Sequence, residues 1–182
     1  MERFPEVAVC RLGHRPGRDD RMTTHVGLTA RALGAYRAIF PENATDAVET
    51  ARDITDRFGG PFAVERTDSP TGVVRNWEGV VAHLTMYGEP VQAVEADVRS
   101  ALVDRREPLL VVVGAEKVPF EIYEAADWNV AVTNQPHSEV AGLAVFLDRL
   151  FDGAELDREW VGASREVVPQ ATGKLVESVD EE

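Results

Sequence analysis

The chain has 182 residues, a formal net charge of -13 and one cysteine. That length supports one full hydrophobic core, while a lone cysteine excludes an internal disulfide and a cysteine-based zinc cluster. No apolar run approaches the roughly 20 residues of a membrane-spanning helix, and Glu2 and Arg3 lead straight into a strand-like segment, so neither a signal peptide nor a membrane is expected and the cytoplasm is the expected compartment.

Val7 to Leu12 reads as a first strand, with Cys10 as a small buried residue. The next nine residues, Gly13 to Arg21, are polar and punctuated by Gly and Pro, and Arg15, Arg18 and Arg21 place three cations there that can reach phosphates. Thr23 or Thr24 then supplies an N-cap for a helix through Val26, Ala32 and Leu33, closed by Gly34. A second strand is expected near Ala38 to Phe40, followed by a turn in which Asn43 is the candidate N-cap. Val48, Ala51, Ile54 and Phe58 recur at helical spacing up to Gly59-Gly60-Pro61. Phe62 to Glu65 forms a third strand, Ser69-Pro70 opens a short helix that stops at Gly79, and Val80 to Thr85 is a fourth strand leading into Met86-Tyr87-Gly88. Val91, Val94, Val98 and Leu102 mark the next helix.

The run Leu109 to Val113 is continuously apolar and β-branched, as expected of a strand buried on both faces of a parallel sheet. It ends at Gly114, and Pro119 is suited to open a helix. Trp128 to Val132 is the sixth strand, and Ser138 heads a helix through Phe146 and Leu150. Trp160 to Pro169 is expected either as an added edge strand or as cover for a subunit contact. Residues 1–170 are expected to form the domain and 171–182 an acidic tail. Strand and helix alternate about six times, which argues for an α/β single domain with a mostly parallel sheet flanked by helices. Ligands of such sheets bind outside the carboxyl ends of the strands.

The strings GAEKVP from Gly114, NQPHSEVAGLAVFLDRL from Asn134, LTMYG from Leu84 and RLGHRPGRDDRMTTHVGLTARALGA from Arg11 together resemble the archaeal tRNA cytidine-56 2′-O-methyltransferase family. The likeness runs from about residue 7 to about residue 170, and the family belongs to the SPOUT class. It implies S-adenosylmethionine (SAM) as cofactor, tRNA rather than DNA as partner, a homodimer, and a deep trefoil knot in the C-terminal part. Strand and helix periodicity alone gives no hint of a knot.

The resemblance also distributes roles. It implies a SAM pocket built from Leu84 and Gly88, from Gly114, Ala115, Glu116, Lys117 and Val118, and from Val132, Thr133, Asn134, Gln135, Pro136, His137, Ser138 and Glu139. The ordinary reading of Asn134, Gln135 and Ser138 is turn and capping chemistry, and Gly88 reads equally as a turn glycine with positive φ. THVGLTARALGA resembles the first motif of ribose methyltransferases, which makes Arg31 the catalytic candidate and puts His25 where that class carries Asn. Arg31 stays protonated and suits stabilisation of a forming alkoxide, whereas His25 is a candidate proton acceptor. His14, Arg15, Arg18 and Arg21 are the RNA-contact candidates.

Two competing classes remain. A conventional dinucleotide enzyme lacks its glycine fingerprint, since no G-x-G-x-x-G opens a helix here, and the four histidines lie singly without metal-ligand spacing. The other alternative is a non-catalytic SAM- or RNA-binding protein of the same fold. The acid excess fits a salt-adapted surface: at 1 M salt the Debye length is about 3 Å, so local arginines matter more than net charge.

Overall fold

A computed structural model describes residues 6–114 and 117–179. Six strands form one sheet: β1 (Val7–Arg11), β2 (Arg37–Pro41), β3 (Ala63–Thr67), β4 (Val80–Pro90), β5 (Leu109–Val113) and β6 (Trp128–Ala131). Their order is β3-β2-β1-β5-β4-β6 and every pairing is parallel. β5 sits in the middle of this order, which is why five consecutive apolar residues suit it: each is at most 1 % exposed.

Six helices cover the sheet: α1 (Asp20–Ala32), α2 (Thr45–Phe58), α3 (Pro70–Arg75), α4 (Val91–Val103), α5 (Phe120–Ala125) and α6 (Glu139–Phe151). The larger core lies under α1, α2, α4 and α6, where Val26, Val48, Val98 and Phe146 pack on Val9, Val111 and Val130. A smaller cluster on the opposite face joins Cys10, Leu110 and Val112 to Val74 of α3 and Ile122 of α5. The connection after β1 therefore covers one face and that after β5 the other. Their divergence opens a crevice at the carboxyl ends of β1 and β5, the position such sheets use for ligands.

Local signals account for several element ends. Ser69 and Ser138 cap α3 and α6 through their hydroxyls, which accept from the Gly72 and Val140 amides, and Gly59 ends α2 with φ +84°. Other expected ends moved. α1 starts at Asp20, before Thr23 and Thr24, because the Asp19 carbonyl already accepts from the Thr23 amide and the Thr24 hydroxyl donates to the Asp20 carbonyl inside the helix. Asn43 does not cap α2, whose N-cap is Ala44; its side-chain amide donates to the His14 carbonyl instead.

The fourth strand does not end at Thr85. Leu84 and Glu89 both face Val130 of β6, so Thr85, Met86, Tyr87 and Gly88 are extruded and the strand then resumes to Pro90. Gly88 lacks a positive φ. It is required for close approach: an added Cβ would lie 2.4 Å from the Asn129 carbonyl oxygen of β6.

Beyond α6, β7 (Arg165–Val168) and β8 (Leu175–Ser178) form a separate antiparallel hairpin rather than an edge strand of the main sheet. The boundary expected at residue 170 falls between these two strands, so residues 175–178 are a hairpin strand and not tail. The approach to the hairpin is tied to the end of α2, with Val161 bridging Gly60 and the Ser164 amide donating to the Arg57 carbonyl. No helix of the described residues is long and apolar enough to cross a membrane.

Candidate functional site

The carboxyl ends of β1, β4, β5 and β6 converge on a cavity of about 630 Å³, a size ordinary for a small-molecule site. Leu84, Val113, Val118, Val130 and Val132 give it apolar walls, while Arg11, Thr85, Ser138 and Glu139 bring polar groups. Gly114 opens the floor after β5, where an added Cβ would meet the Val118 side chain at 2.8 Å.

Arg11, the last residue of β1, is the buried cation of this site at 2 % exposure. Its Nη2 donates to Glu139 Oε1 at 2.7 Å, and its Nη1 donates to Thr23 Oγ1 at 2.9 Å and to the Gly13 carbonyl. The network continues outward through His14, whose Nδ1 lies 2.7 Å from Thr23 Oγ1 and whose Nε2 lies 3.1 Å from Asp20 Oδ1. Because a carboxylate only accepts, Nε2 carries the proton there and, in the neutral ring, Nδ1 accepts from the Thr23 hydroxyl. Asp19 closes the other side. The hydrogen bonds from Arg15 hold its carboxyl well below the usual carboxylate range, against the opposing effect of its burial. A strand-end arginine fixed in this way presents the Glu139 carboxylate in one orientation at the start of α6.

His83 lines the cavity from the other face of the sheet and is fully buried. The Asn129 side-chain amide donates to the Tyr123 carbonyl at 2.9 Å, so its oxygen is left to accept from His83 Nδ1, also at 2.9 Å. That assignment puts the ring proton on Nδ1 and leaves Nε2 as a buried acceptor without a hydrogen-bond partner among the described residues. Burial lowers the His83 pKa from its ordinary 6.5, with the Asn129 bond opposing the shift, so the environment favours the neutral ring.

The structure brings many of the expected pocket residues together. Leu84, Gly114, Val118, Val132, Pro136, His137, Ser138 and Glu139 all line the cavity, as do Arg15 and Arg18. Asn134 stands behind it: its amide nitrogen donates to the carbonyls of Met86 and Gly88 at 2.7 and 3.1 Å, clamping the extruded segment. His137 Nδ1 donates to the Gln135 carbonyl at 2.7 Å, and its ring packs over Gly142. Lys117, Thr133 and Gln135 are exposed and are not among the residues lining the cavity. Ala115 and Glu116 lie outside the described residues.

Three expectations meet a different geometry. The His14 side chain is only 3 % exposed and both its ring nitrogens are engaged, so it braces the loop and does not face a solvent-borne RNA. Arg21, by contrast, is exposed as its expected role requires, in the first turn of α1. Neither His25 nor Arg31 lines the strand-end cavity: His25 is exposed on α1, and Arg31 sits near its far end. There Arg31 donates from Nη2 to the Gly59 carbonyl at 2.6 Å and stacks 4.3 Å over the Trp160 ring. Burial, and next the charge of Arg158, lower its pKa. Arg31 and Arg158 instead line a second cavity, of about 970 Å³, between α2 and the hairpin.

The cavity is also lined by Arg11, His83, Thr85, Tyr87 and Tyr123, none of which the sequence singled out as a site residue. Arg11 and His83 carried a usable signal, since a polar side chain at the carboxyl end of an apolar parallel strand points into the ligand crevice. Among the described residues no group of three His, Cys, Asp or Glu side chains is placed to hold a metal ion.

The comparisons with known proteins bear on this site. Residues 58–177 match a family model described as tRNA ribose 2′-O-methyltransferase, aTrm56. A tRNA (cytidine(56)-2′-O)-methyltransferase of Haloarcula marismortui is 68 % identical over all of this chain and all of its own length. The enzyme of that name from Thermococcus kodakarensis is 52 % identical, with 93 % of this chain and 96 % of that one covered. Among solved structures, an RNA 2′-O ribose methyltransferase aligns with a TM-score of 0.60 at 13 % identity, covering 84 % of this chain and 58 % of that one. The SpoU methyltransferase AviRb of Streptomyces viridochromogenes, solved with its cofactor AdoMet, aligns at 0.55 and 14 %, again covering 84 % and 58 %. This chain thus spans just over half the length of those two structures, and at such identities they establish the fold alone.

Proposed function

The chain belongs to the tRNA ribose 2′-O-methyltransferase family, and from that premise we propose that its strand-end cavity binds SAM and transfers the methyl group to the 2′-oxygen of cytidine 56 in tRNA. The observation that carries the reading is the coincidence of two independent facts. A chain 68 % identical to an enzyme of that name over its whole length folds so that Leu84, Gly114, Val132, Pro136, His137, Ser138 and Glu139 wall one cavity.

The residues present fit SAM. Apolar side chains suit the faces of an adenine, Gly114 keeps the backbone open to close approach, and the Glu139 carboxylate offers a counter-charge to a sulfonium. SAM, when bound, supplies an electrophilic methyl group. Arg11 orients Glu139 by a charge-assisted bond, and Ser138 fixes the first turn of α6 beside it.

The rest of the reading concerns assembly. We infer a homodimer in which the hairpin covers a subunit contact, supported by Val161, Val167 and Val176, each more than half exposed, and by the marginal stability of a two-stranded hairpin standing alone. Any part that Arg31 or His25 takes in catalysis is then across that boundary, in the pocket of the partner subunit. The trefoil knot of the C-terminal part, a salt-adapted surface and a cytoplasmic location belong to the same proposal, resting on the family likeness, the charge of -13 and the tRNA substrate respectively.

Transfer of labelled methyl from SAM to an unmodified tRNA transcript tests the reading. Wild type is expected to transfer, Gly114→Val to lose SAM binding, and Arg31→Ala to bind SAM but not transfer. Mixed dimers of the two variants then recover part of the activity if Arg31 serves the partner's pocket, and recover none if it acts within its own chain. Saturable SAM binding without transfer in wild type would contradict the enzyme reading and favour a non-catalytic binding protein.

A further inference from the structure

Tyr87 is 76 % exposed, at the tip of the four-residue segment that β4 extrudes beside the cavity, and it lines the cavity's rim. Exposed aromatic rings on surface loops are ordinarily mobile, but this one stands on a clamped backbone. Asn134 donates to the carbonyls on either side of it, those of Met86 and Gly88. The Tyr87 amide donates to Thr85 Oγ1 at 3.3 Å, and Gly88 is pressed against the β6 backbone. A chain that needed only to connect β4 to α4 would have no use for an extrusion pinned at three points with a bare phenol ring at its end.

We propose that Tyr87 is a stacking platform for one unpaired nucleobase of the substrate RNA, at or next to the nucleotide whose ribose enters the cavity. The proposal rests on the methyltransferase reading above and extends it to how the RNA strand is gripped. A ribose presented to a cavity at strand ends requires its nucleotide to leave its neighbours, and a base that loses its stack regains it on an aromatic face. A backbone already fixed beneath the ring lowers the entropy lost on binding. Stacking also suits the charge of this protein: at -13 overall and in concentrated salt, counterion release contributes little, whereas face-to-face contact with a base survives screening. Local charge agrees, since Arg18 is exposed and lines the same cavity, within reach of a phosphate of the same strand.

Equilibrium binding decides it, measured for SAM and for unmodified tRNA transcripts that are intact or carry one abasic site at nucleotide 56 or either neighbour. For intact transcript, Tyr87→Ala is expected to weaken tRNA binding about tenfold or more, with Tyr87→Phe close to wild type and SAM affinity unchanged in both. One abasic position should weaken wild type by a similar factor and leave Tyr87→Ala no weaker than it already was. Equal binding of all transcripts by wild type and Tyr87→Ala overturns the proposal, as does coupling at none of the three positions. A matching loss of SAM affinity in Tyr87→Ala also overturns it, because the ring would then be a cofactor wall. Failure of wild type to bind or methylate intact tRNA is a separate result that removes the methyltransferase reading itself.

Discussion

Replacing Arg11 by Met exchanges the buried guanidinium for an apolar side chain of similar length and leaves its acceptors behind. The Glu139 carboxylate loses the 2.7 Å bond from Nη2, Thr23 loses the 2.9 Å bond from Nη1, and the Gly13 carbonyl loses its donor. Breaking a buried ion pair by removing one partner costs about 3–5 kcal/mol. The Glu139 side chain is 23 % exposed, so water reaches it and the cost falls at the lower end, about 3 kcal/mol. Asp19 contributes little to the loss because Arg15 still grips it through two side-chain bonds. Urea unfolding of wild type, Arg11→Met, Glu139→Gln and the double variant measures this directly, since a double-mutant cycle isolates the pair. The account expects the double variant to regain at least about 1 kcal/mol of the Arg11→Met loss, as no carboxylate is then left unpaired. Arg11→Met within about 0.5 kcal/mol of wild type, or strict additivity in the cycle, would refute the claim that Arg11 holds Glu139 in place.

Three further outcomes follow from the same structure. The His83 pKa is lowered in the folded chain, so the unfolded chain binds more protons just below pH 6.5 and stability must fall as pH drops through that value; urea midpoints against pH should show the slope in wild type and a weaker one in His83→Gln. Burial pushes the Cys10 thiol up to about 12, so native protein should resist thiol reagents, and its stability should decline as pH rises above about 9, where the unfolded thiol ionises first. In Gly88→Ala the new Cβ would stand 2.4 Å from the Asn129 carbonyl oxygen; separating β4 from β6 there costs about 1–3 kcal/mol, read as a melting temperature lower by about 2–4 °C for each kcal/mol. An unchanged melting temperature would mean that the extrusion is not packed as described.

What the sequence made legible was what depends on neighbours in the chain. Leu109 to Val113 announces a central parallel strand by composition, and Val91, Val94, Val98 and Leu102 announce the buried face of α4, all four being at most 6 % exposed. Ser69 and Ser138 cap the helices they precede. The residues that shape the site depend instead on pairs far apart. Arg11 meets Glu139 across 128 positions and Asn134 clamps Met86 across 48, and no local periodicity encodes either. Met86-Tyr87-Gly88 reads as leaving the strand, but only the pairing register with β6 shows that Thr85 leaves with them and that β4 resumes at Glu89. Arg31 was recognisable as a motif residue near the end of its helix, but its surroundings follow from the hairpin approach that brings Trp160 to it. That hairpin was itself obscure because its strands are four residues each and almost wholly exposed.

The most direct test of the central claim is the position of the transferred methyl group. Unmodified tRNA transcript incubated with the protein and SAM in concentrated salt, then digested and sequenced by mass spectrometry, should carry a single added methyl on the ribose of cytidine 56. A methyl on a base or on another nucleotide, or none at all from protein that binds SAM, would contradict it.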